Sequence, residues 1–151
     1  MTVSIRIQAE AFDVAAETAA LTEGRADIGA VVAFTGLCRD EGGRLTALEL
    51  EHYPGMAEAE IAHIAAQAQD RWPLLGLTII HRFGKVLPGD PIVLVLAASS
   101  HRRAAFEAAD FLMDYLKTRA PFWKREHLKD GTAGEWVEAK DLDDEAAQRW
   151  L

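Results

Sequence analysis

Residues 117–126, with the sequence KTRAPFWKRE, gather two lysines and two arginines around a proline in a chain whose net charge is −8. Pro121 predicts the end of a helix that carries Lys117, because proline lacks an amide hydrogen and disfavours helical geometry in the residue before it. Lys124 then lies beyond a forced turn, which burial of Phe122 and Trp123 would anchor. We therefore expect the two lysines to converge on one place and to attract an anionic ligand.

A second group of cations stands at the predicted start of the same helix. A serine at position 99 or 100 would be a suitable N-cap. The first turn then contains His101, Arg102 and Arg103, where acidic side chains are favoured. An anion bound at the free backbone amides, with phosphate as the obvious candidate, would reverse this penalty. The alternative is that Arg103 pairs with Glu107 one turn later and that Arg102 is merely solvated.

Lys117 also has a purely structural interpretation. It ends a polar stripe at helical spacing, formed by Arg103, Glu107, Asp110, Asp114 and Lys117, and would then pair with Asp114. Such a pair contributes only about 0.3 to 0.5 kcal/mol and gives no reason for further cations to gather. If several cations do surround Lys117, their repulsion favours its neutral form, which can act as a nucleophile or a general base.

Cys38 and Arg39 follow an apolar run, residues 29–36, that predicts a buried strand. The end of such a strand can present Arg39 to a ligand, and a thiol beside an arginine can be reactive. The preferred interpretation of Cys38 is nevertheless a small buried hydrophobic residue, because most lone cysteines after an apolar strand are of that kind.

The composition restricts the class of protein. Its 151 residues, half of them apolar, predict one domain spanning residues 1–151. A pI near 5.1 argues against non-specific nucleic-acid binding, which needs a broad basic face. No apolar run is long enough to cross a bilayer. A single cysteine and five scattered histidines predict neither a disulfide nor a metal site. We therefore expect a cytoplasmic protein without a metal or a membrane partner.

Hydrophobic periodicity places these residues in an α+β fold. Two main amphipathic helices are predicted at 56–72 and 101–117, with shorter helices at 12–21 and 143–150. Strands are predicted at 3–7, 29–36, 45–53, 77–83, 91–98 and 136–139. The turn at 40–43 predicts a hairpin between the second and third strands, and the turn around Pro88 and Gly89 predicts another between the fourth and fifth. Residues 127–134 are predicted to form a mobile surface loop.

Several motifs together resemble the large subunit of molybdopterin synthase, over residues 29–140. They are FTG at 34–36 followed by Arg39, LEHYPGM at 50–56, HR at 81–82, PGD at 88–90, SHR at 100–102, AFE at 105–107 and MDYLKTRAPFWKRE at 113–126. Each short motif is weak evidence by itself. The last run is long and in register with the others, so the resemblance is specific.

The resemblance implies a sulfurtransferase of molybdenum cofactor biosynthesis. Such an enzyme converts cyclic pyranopterin monophosphate into molybdopterin by inserting the two sulfurs of a dithiolene. In this family each sulfur arrives as a thiocarboxylate on the C-terminal Gly-Gly of a small ubiquitin-like subunit, whose tail enters a pocket of the large subunit. The implied assembly is a heterotetramer built on a homodimer of large subunits, and the implied fold is an α/β hammerhead. We expect no cofactor.

Carried over by position, the resemblance assigns the active-site lysines to Lys117 and Lys124. It also implies a substrate pocket formed by Leu37, Cys38, Arg39, His101, Arg102, Arg125 and Glu126. The chemistry of the residues suggests that Arg102 and the helix amides hold the phosphate while Arg39 aids anion binding. Lys117 would act in proton transfer or transient covalent capture. Lys124 would stabilise developing negative charge or fix the carboxyl group of the partner.

Two other functions would use the same residues. A non-enzymatic module would bind a phosphate or the acidic tail of another protein in the same basic pocket, without turnover. A sulfurtransferase acting through a persulfide on Cys38 is the second alternative, although the sulfur of the resembled family comes from its partner.

Overall fold

The chain folds into two β-sheets, with helices packed against the larger one. The computed structural model describes residues 1–137 and 141–151, with the backbone alone at residues 41 and 141–144. Its elements are β1 (Thr2–Gln8), α1 (Val14–Thr22), β2 (Ala30–Leu37), a 3₁₀ turn (Glu41–Gly43), β3 (Leu45–His52), α2 (Met56–Arg71), β4 (Leu74–Arg82), β5 (Gly84–Val86), β6 (Pro91–Ser99), α3 (Arg102–Thr118), β7 (Phe122–Leu128) and α4 (Asp141–Gln148). This arrangement confirms the predicted α+β class.

The larger sheet has the strand order β1, β4, β6, β2. The predicted hairpin between the fourth and fifth strands is confirmed, because β4 and β6 pair antiparallel with Ile79 opposite Val95. The connection between them contains the short strand β5, which the sequence pattern did not reveal. Strand β1 runs parallel to β4, with Ile5 opposite Ile79.

The predicted hairpin between β2 and β3 is wrong. β2 pairs with β6, whereas β3 lies in the second sheet, between β5 and β7. The register of β2 shifts between Gly36 and Leu37, and the chain then bonds to the β5–β6 connection: the Cys38 amide donates to the Asp90 carbonyl at 2.8 Å, and the Gly89 amide donates to the Cys38 carbonyl at 2.7 Å. These bonds turn the chain out of the larger sheet before β3 begins.

The segment after Pro121 is strand β7, and it includes the first part of the predicted loop. His127 and Leu128 belong to this strand, so the loop prediction is wrong for them. The next residues fold back on β7 in a hydrogen-bonded turn, in which the Leu128 amide donates to the Thr132 carbonyl at 2.9 Å. Of the predicted strand at 136–139, Val137 forms a single bridge with Lys124, and residues 138 and 139 lie outside the described residues.

The main core lies between the larger sheet and the two long helices. Large buried side chains of α2 and α3, such as Ile64 and Leu112, pack against Leu77, Ile79 and Val95 of the sheet. The predicted amphipathic character of both helices is thus confirmed. The alternate residues of β4 and β6 face α1 and form a second cluster with Leu21 of that helix. Of the helices in the described part of the chain, none has the length and apolar character needed to cross a membrane.

The two ends of α3 lie at opposite ends of the larger sheet. Helix α3 begins just after Ser99, the last residue of β6, which pairs with Ala30 and Leu74. At the other end of β6, Val93 lies between His81 of β4 and Gly36 of β2. Because α3 returns along the sheet, its last turn lies toward the end that carries His81.

A close contact at Gly29 fixes the start of β2 beside the start of α3. The Gly29 amide donates to the Ser99 carbonyl at 3.0 Å. A Cβ atom at position 29 would lie 2.1 Å from the backbone oxygen of Ser100, far inside van der Waals contact. Only glycine fits this approach of two backbones.

Candidate functional site

Lys117 occupies the last turn of α3 and is exposed. The helix ends at Thr118, and the chain turns at Pro121 to enter β7 at Phe122, with the Phe122 amide donating to the Ala120 carbonyl at 2.9 Å. The forced turn predicted from the proline is therefore confirmed. It places Lys117 and Lys124 on two consecutive elements that meet at this turn.

Asp114, the structural partner considered for Lys117, is engaged elsewhere. Its Oδ2 accepts hydrogen bonds from Arg149 Nη2 at 2.7 Å, from Arg149 Nε at 3.0 Å and from Trp150 Nε1 at 2.6 Å. Lys117 forms no ion pair with any carboxylate of the residues that the structure describes. The interpretation of Lys117 as half of a surface pair with Asp114 is therefore not supported.

An aromatic stack lies under the turn. The Phe122 ring stacks on His81 with a centroid distance of 3.7 Å and an interplanar angle of 16°. It also stacks more loosely, at 5.8 Å, on His52, which in turn contacts Phe83 at 4.9 Å. The side chain of His52 is only 7% exposed, and its Nδ1 is buried without a hydrogen-bond partner. The predicted anchoring by Phe122 is thus confirmed, with two histidines as its supports.

His81 is surrounded by positive charge. Burial of the ring lowers its pKa to about 4, and the nearby charges of Lys124, Lys117 and His52 act in the same direction. The Nδ1 of His81 lies 2.8 Å from the Arg82 carbonyl oxygen. Both lysines are thus close enough to the same imidazole to oppose its protonation. This electrostatic effect agrees with the convergence expected from the sequence.

Strand alternation divides the residues of β7 between two faces. Lys124 and Glu126 lie opposite Leu50 and Leu48 of β3 and share a face with Phe122, because residues two apart in a strand point the same way. Arg125 lies on the other face, where its guanidinium carbon sits 4.6 Å from the centroid of the Trp136 ring. Glu126 therefore accompanies Lys124. The prediction that Arg125 belongs to the same site is not supported.

The end of β2 reaches the same end of the sheet as His81. Gly36 is two strands away from His81 in the register, roughly 10 Å, and Arg39 follows three residues later with an exposed side chain. Leu37 is 57% exposed. Register thus brings Leu37 and Arg39 toward the end of the sheet where the lysines lie.

Cys38 differs from both of its neighbours because its side chain points into the protein. It is 3% exposed and packs with Leu45, Leu50 and Val86. Burial raises the pKa of its thiol. Since its amide and carbonyl are also hydrogen-bonded to the β5–β6 connection, the prediction that Cys38 binds substrate is not supported, and the interpretation as a buried hydrophobic residue is.

The cations at the start of α3 form a separate site. His101 itself is the N-cap residue, with no side-chain hydrogen bond to the helix. The predicted serine N-cap is wrong: Ser99 is buried at the end of β6, where its hydroxyl donates to the Pro73 carbonyl at 2.8 Å. An open pocket of about 550 Å³ lies at this helix end, lined by His101, Arg102, Arg103, Phe106 and Glu107.

The pairing proposed for Arg103 is confirmed, and Arg102 is exposed, as the same alternative expected. Arg103 Nη1 donates to Glu107 Oε1 at 3.4 Å, one turn along the helix. Arg102 is exposed beside it, and the first turn contains no acidic residue. The distance along α3 from Arg102 to Lys117 is about 22 Å at 1.5 Å per residue. One chain therefore does not bring the two groups of cations into one pocket.

Comparisons with known proteins identify the family of this chain. The family model described as MoaE protein matches residues 7–119. A molybdopterin synthase catalytic subunit of Mesorhizobium japonicum is 72% identical over 147 residues, which cover 97% of this chain and 92% of the relative. The chain belongs to the MoaE family. The recognition of molybdopterin synthase in the sequence motifs is thus confirmed.

Solved structures of the MoaE family share the fold. The molybdopterin biosynthesis MoaE protein from Burkholderia ambifaria is 49% identical, with a TM-score of 0.85 and coverage of 99% of this chain and 98% of that chain. Molybdopterin synthase from Staphylococcus aureus is 31% identical, with a TM-score of 0.77 and coverage of 87% and 94%. The MoaE model ends at residue 119, so Lys117 lies inside the match and Lys124 lies beyond it.

The sequence motifs of the MoaE family left the roles of two histidines unassigned. His52 belongs to the motif LEHYPGM and His81 to the motif HR, and neither motif assigns the histidine a chemical task. The available signal was their position: His52 ends β3, His81 lies at the end of β4, and both strands end where Phe122 begins β7. Only the pairing of β3 with β7, which joins residues 70 apart, makes them neighbours.

Proposed function

We propose that this chain, as one domain spanning residues 1–151, converts cyclic pyranopterin monophosphate into molybdopterin. The two sulfurs would come from the C-terminal thiocarboxylate of a small ubiquitin-like subunit. Membership of the MoaE family supports the reaction, and the relative in Mesorhizobium japonicum is named as the catalytic subunit of the synthase. We place the reaction in the cytoplasm, in keeping with a lone, buried thiol.

The observation that carries the proposal is the convergence of Lys117 and Lys124 on neutral His81. Both substrates are anionic where they must be held, one at its phosphate and the other at its thiocarboxylate. Two ammonium groups beside a buried, uncharged ring make a strong local anion site in an acidic chain. An anion between the lysines would reduce their mutual repulsion.

The two lysines take different tasks in this proposal. Lys117 ends a helix and has no carboxylate partner among the described residues, so its amine is available for proton transfer or transient covalent capture. Lys124 is fixed in a strand whose backbone pairs on both sides, with Leu50 and with Val137. It is suited to stabilise developing negative charge or to hold the carboxyl group of the partner.

The phosphate end of the substrate is assigned to His101, Arg102 and the first amides of α3. This pocket lies about 22 Å from Lys117 within one chain. We propose that a homodimer, the core of the expected heterotetramer, supplies the missing proximity, with the start of α3 from one copy facing the lysines of the other. Arg39 and Leu37 would line the same cavity from the end of β2.

Reconstitution tests the reaction directly. The purified chain is mixed with cyclic pyranopterin monophosphate and a thiocarboxylated small subunit, and the dithiolene product is measured after oxidation to a fluorescent pterin. Lys117→Ala should lower kcat by on the order of a thousandfold, because proton transfer or covalent capture by this amine is lost. Lys129→Ala is the matched control, since it removes an exposed lysine just beyond β7.

The result also separates the proposal from its alternatives. Tight binding of both substrates without product would indicate a binding module. Turnover that depends on Cys38 would indicate a persulfide enzyme, whereas Cys38→Ser should keep full activity because the thiol is buried. Near-normal turnover by Lys117→Ala would contradict the assignment of Lys117.

A further inference from the structure

His81 is the one member of the lysine site whose proton can be located. Its Nδ1 lies 2.8 Å from the carbonyl oxygen of Arg82. A carbonyl oxygen can only accept a hydrogen bond, so Nδ1 carries the hydrogen and donates it. In a neutral imidazole the other nitrogen, Nε2, then bears a lone pair and can only accept.

The ring is held in place from two sides. Phe122 stacks on it at 3.7 Å, and strand β4, which carries it, is paired with both β1 and β6 in the middle of the larger sheet. The flanking residues in the register are Ile7 and Val93, which bring no charge. Orientation of the imidazole is therefore set by packing and by the bond to Arg82, before any ligand binds.

Charges near the ring are almost all positive. Lys117 from α3, Lys124 from β7 and His52 from β3 all act against protonation of His81. The carboxylates of Glu51, on β3, and of Glu58, on α2, lie 3.9 and 3.8 Å from His52. Burial is the main reason that the pKa of the ring is lowered and the ring is uncharged at neutral pH, and these positive charges act in the same direction.

A neutral ring of this kind is a poor base for a lysine. An ordinary lysine ammonium has a pKa near 10.4, so transfer of its proton to an imidazole with a pKa of about 4 is unfavourable by roughly six orders of magnitude. Hydrogen-bond acceptance has no such cost. Nε2 is therefore suited to accept a hydrogen bond from an N–H group and not to take its proton.

A neutral acceptor has an advantage over a carboxylate at this position. A carboxylate would orient an ammonium group equally well, but its charge would cancel the attraction for an anionic substrate. A neutral imidazole orients the ammonium group by a hydrogen bond and does not cancel its positive charge. This matters for Lys117, which has four rotatable side-chain bonds and no carboxylate partner among the described residues.

We propose that His81 is a positioning residue, whose Nε2 accepts a hydrogen bond from the Lys117 ammonium when substrate is bound and aims that group at the reacting atoms. This inference rests on the proposed function. It adds a residue that touches neither phosphate nor thiocarboxylate and acts only through the lysine.

Two substitutions separate this role from a purely structural one. His81→Asn places its amide nitrogen near Nδ1, so it can keep the bond to the Arg82 carbonyl but loses the acceptor at Nε2. His81→Gln places its amide near Nε2, so it can supply an acceptor there and loses the inner bond. We expect His81→Asn to lower kcat by roughly ten- to a hundredfold with little change in KM, and His81→Gln to keep more activity. A structural role predicts the reverse order.

The pH profile gives a second readout. Loss of the acceptor in His81→Asn should move the pH midpoint of kcat/KM, while Lys117→Ala combined with His81→Asn should be no worse than Lys117→Ala alone. The same activity in His81→Asn as in the unsubstituted enzyme would overturn the inference. If the unsubstituted enzyme forms no dithiolene, the proposed function fails instead, so the two failures are distinguishable.

A spectroscopic measurement covers the case in which both variants fold poorly. With ¹⁵N-labelled histidine in the unsubstituted chain, His81 Nε2 should resonate as an unprotonated nitrogen at pH 7.5. Addition of the small subunit with its C-terminal carboxylate and of the pterin substrate should shift that signal, and the shift should be absent in Lys117→Ala. A protonated Nε2, or an identical shift in Lys117→Ala, would overturn the inference.

Discussion

The two ends of α3 both gather cations, but they do so in different ways. At its start, His101, Arg102 and Arg103 are consecutive, exposed and carried by one element. At its end, the charges of Lys117 and of Lys124 from β7 both act on His81 from β4. The first arrangement provides charge with little control of direction. The second orients its residues through the pairing of β3 with β7 and the stack of Phe122 on His81. Such orientation is expected at a site where bonds are made rather than ions held.

This contrast also explains why an anion at either end would have different consequences. At the start of α3 an anion would meet a helix dipole and mobile arginines, which need no exact geometry. At the end of α3 it would meet ammonium groups beside an imidazole ring that packing holds in place. The start of the helix is thus suited to hold a substrate and the end to change it.

Mixing of two impaired variants gives the largest expected effect. If the two ends meet across a dimer, co-assembly of Lys117→Ala with Arg102→Ala restores one intact site in each mixed dimer. With random pairing, half of the dimers are mixed, so about a quarter of the full activity should return at low substrate concentration. This is on the order of a hundredfold or more above Lys117→Ala alone and a few-fold above Arg102→Ala alone.

The matched control for mixing is Lys117→Ala with Lys124→Ala. Both lysines belong to the same end of α3, so each mixed dimer has one lysine missing from each site, and no activity should return. Recovery in this control, or none with Arg102→Ala, would show that the two ends do not meet in the way proposed.

Acid pH should distinguish the two ends by stability. The pKa of His81 is lowered from about 6.5 in the unfolded chain to about 4 in the fold. As the pH falls from 6.5 to 4 the unfolded chain takes up a proton that the native ring does not, so stability is lost. The loss should reach about 3 kcal/mol, and urea unfolding at pH 7 and pH 4.5 would measure most of it.

The acid test also has a control on the same helix. His81→Asn should remove this part of the pH dependence, whereas His101→Asn, at the exposed start of α3, should retain it. Equal pH dependence in His81→Asn and the unsubstituted protein would mean that the pKa of His81 does not differ between the folded and the unfolded chain.

Arg102→Ala should weaken binding more than it slows chemistry. We expect KM for the pterin substrate to rise by roughly tenfold with kcat within a factor of about three, because a charge-assisted hydrogen bond to phosphate is lost in ground state and transition state alike. Steady-state kinetics at two salt concentrations would measure it. A fall in kcat with constant KM would place Arg102 with the reacting groups.

The smallest effect is expected for Arg103→Ala. Its i, i+4 pair with Glu107 is exposed, at 3.4 Å, with the arginine side chain 87% exposed. Such pairs contribute less than about 0.5 kcal/mol, so urea unfolding should show almost no change. A loss above about 1 kcal/mol would mean that this end of α3 is more rigidly built than its exposure indicates.

Much of this organisation could be predicted from local sequence. Periodicity predicts α2 and α3 nearly to the residue, and Pro121 predicts the turn that separates Lys117 from Lys124. The positive charge at the start of α3 can be recognised in the sequence because it comes from three consecutive residues. Local pattern fails for β7, because its charged residues do not alternate with apolar ones and its pairing partner β3 lies some 70 residues earlier.

Long-range pairing also explains the remaining errors. The turn at 40–43 has the composition of a hairpin, yet the bonds from Cys38 to the β5–β6 connection direct the chain into the other sheet. The assignment of Arg125 to the lysine site was made without strand alternation, which places Arg125 on the other face of β7 from Lys124. His81 could not be linked to the lysines at all without the β4–β6 and β3–β7 registers.

The contact between Gly29 and Ser100 has a consequence for genetic surveys of this protein. A side chain at position 29 would collide with the peptide that immediately precedes His101 and Arg102. Relief of that collision would displace the start of α3 while the rest of the core stays intact. Missense alleles at codon 29 should therefore give a folded protein with a phenotype that imitates loss of substrate binding, although the residue touches no substrate.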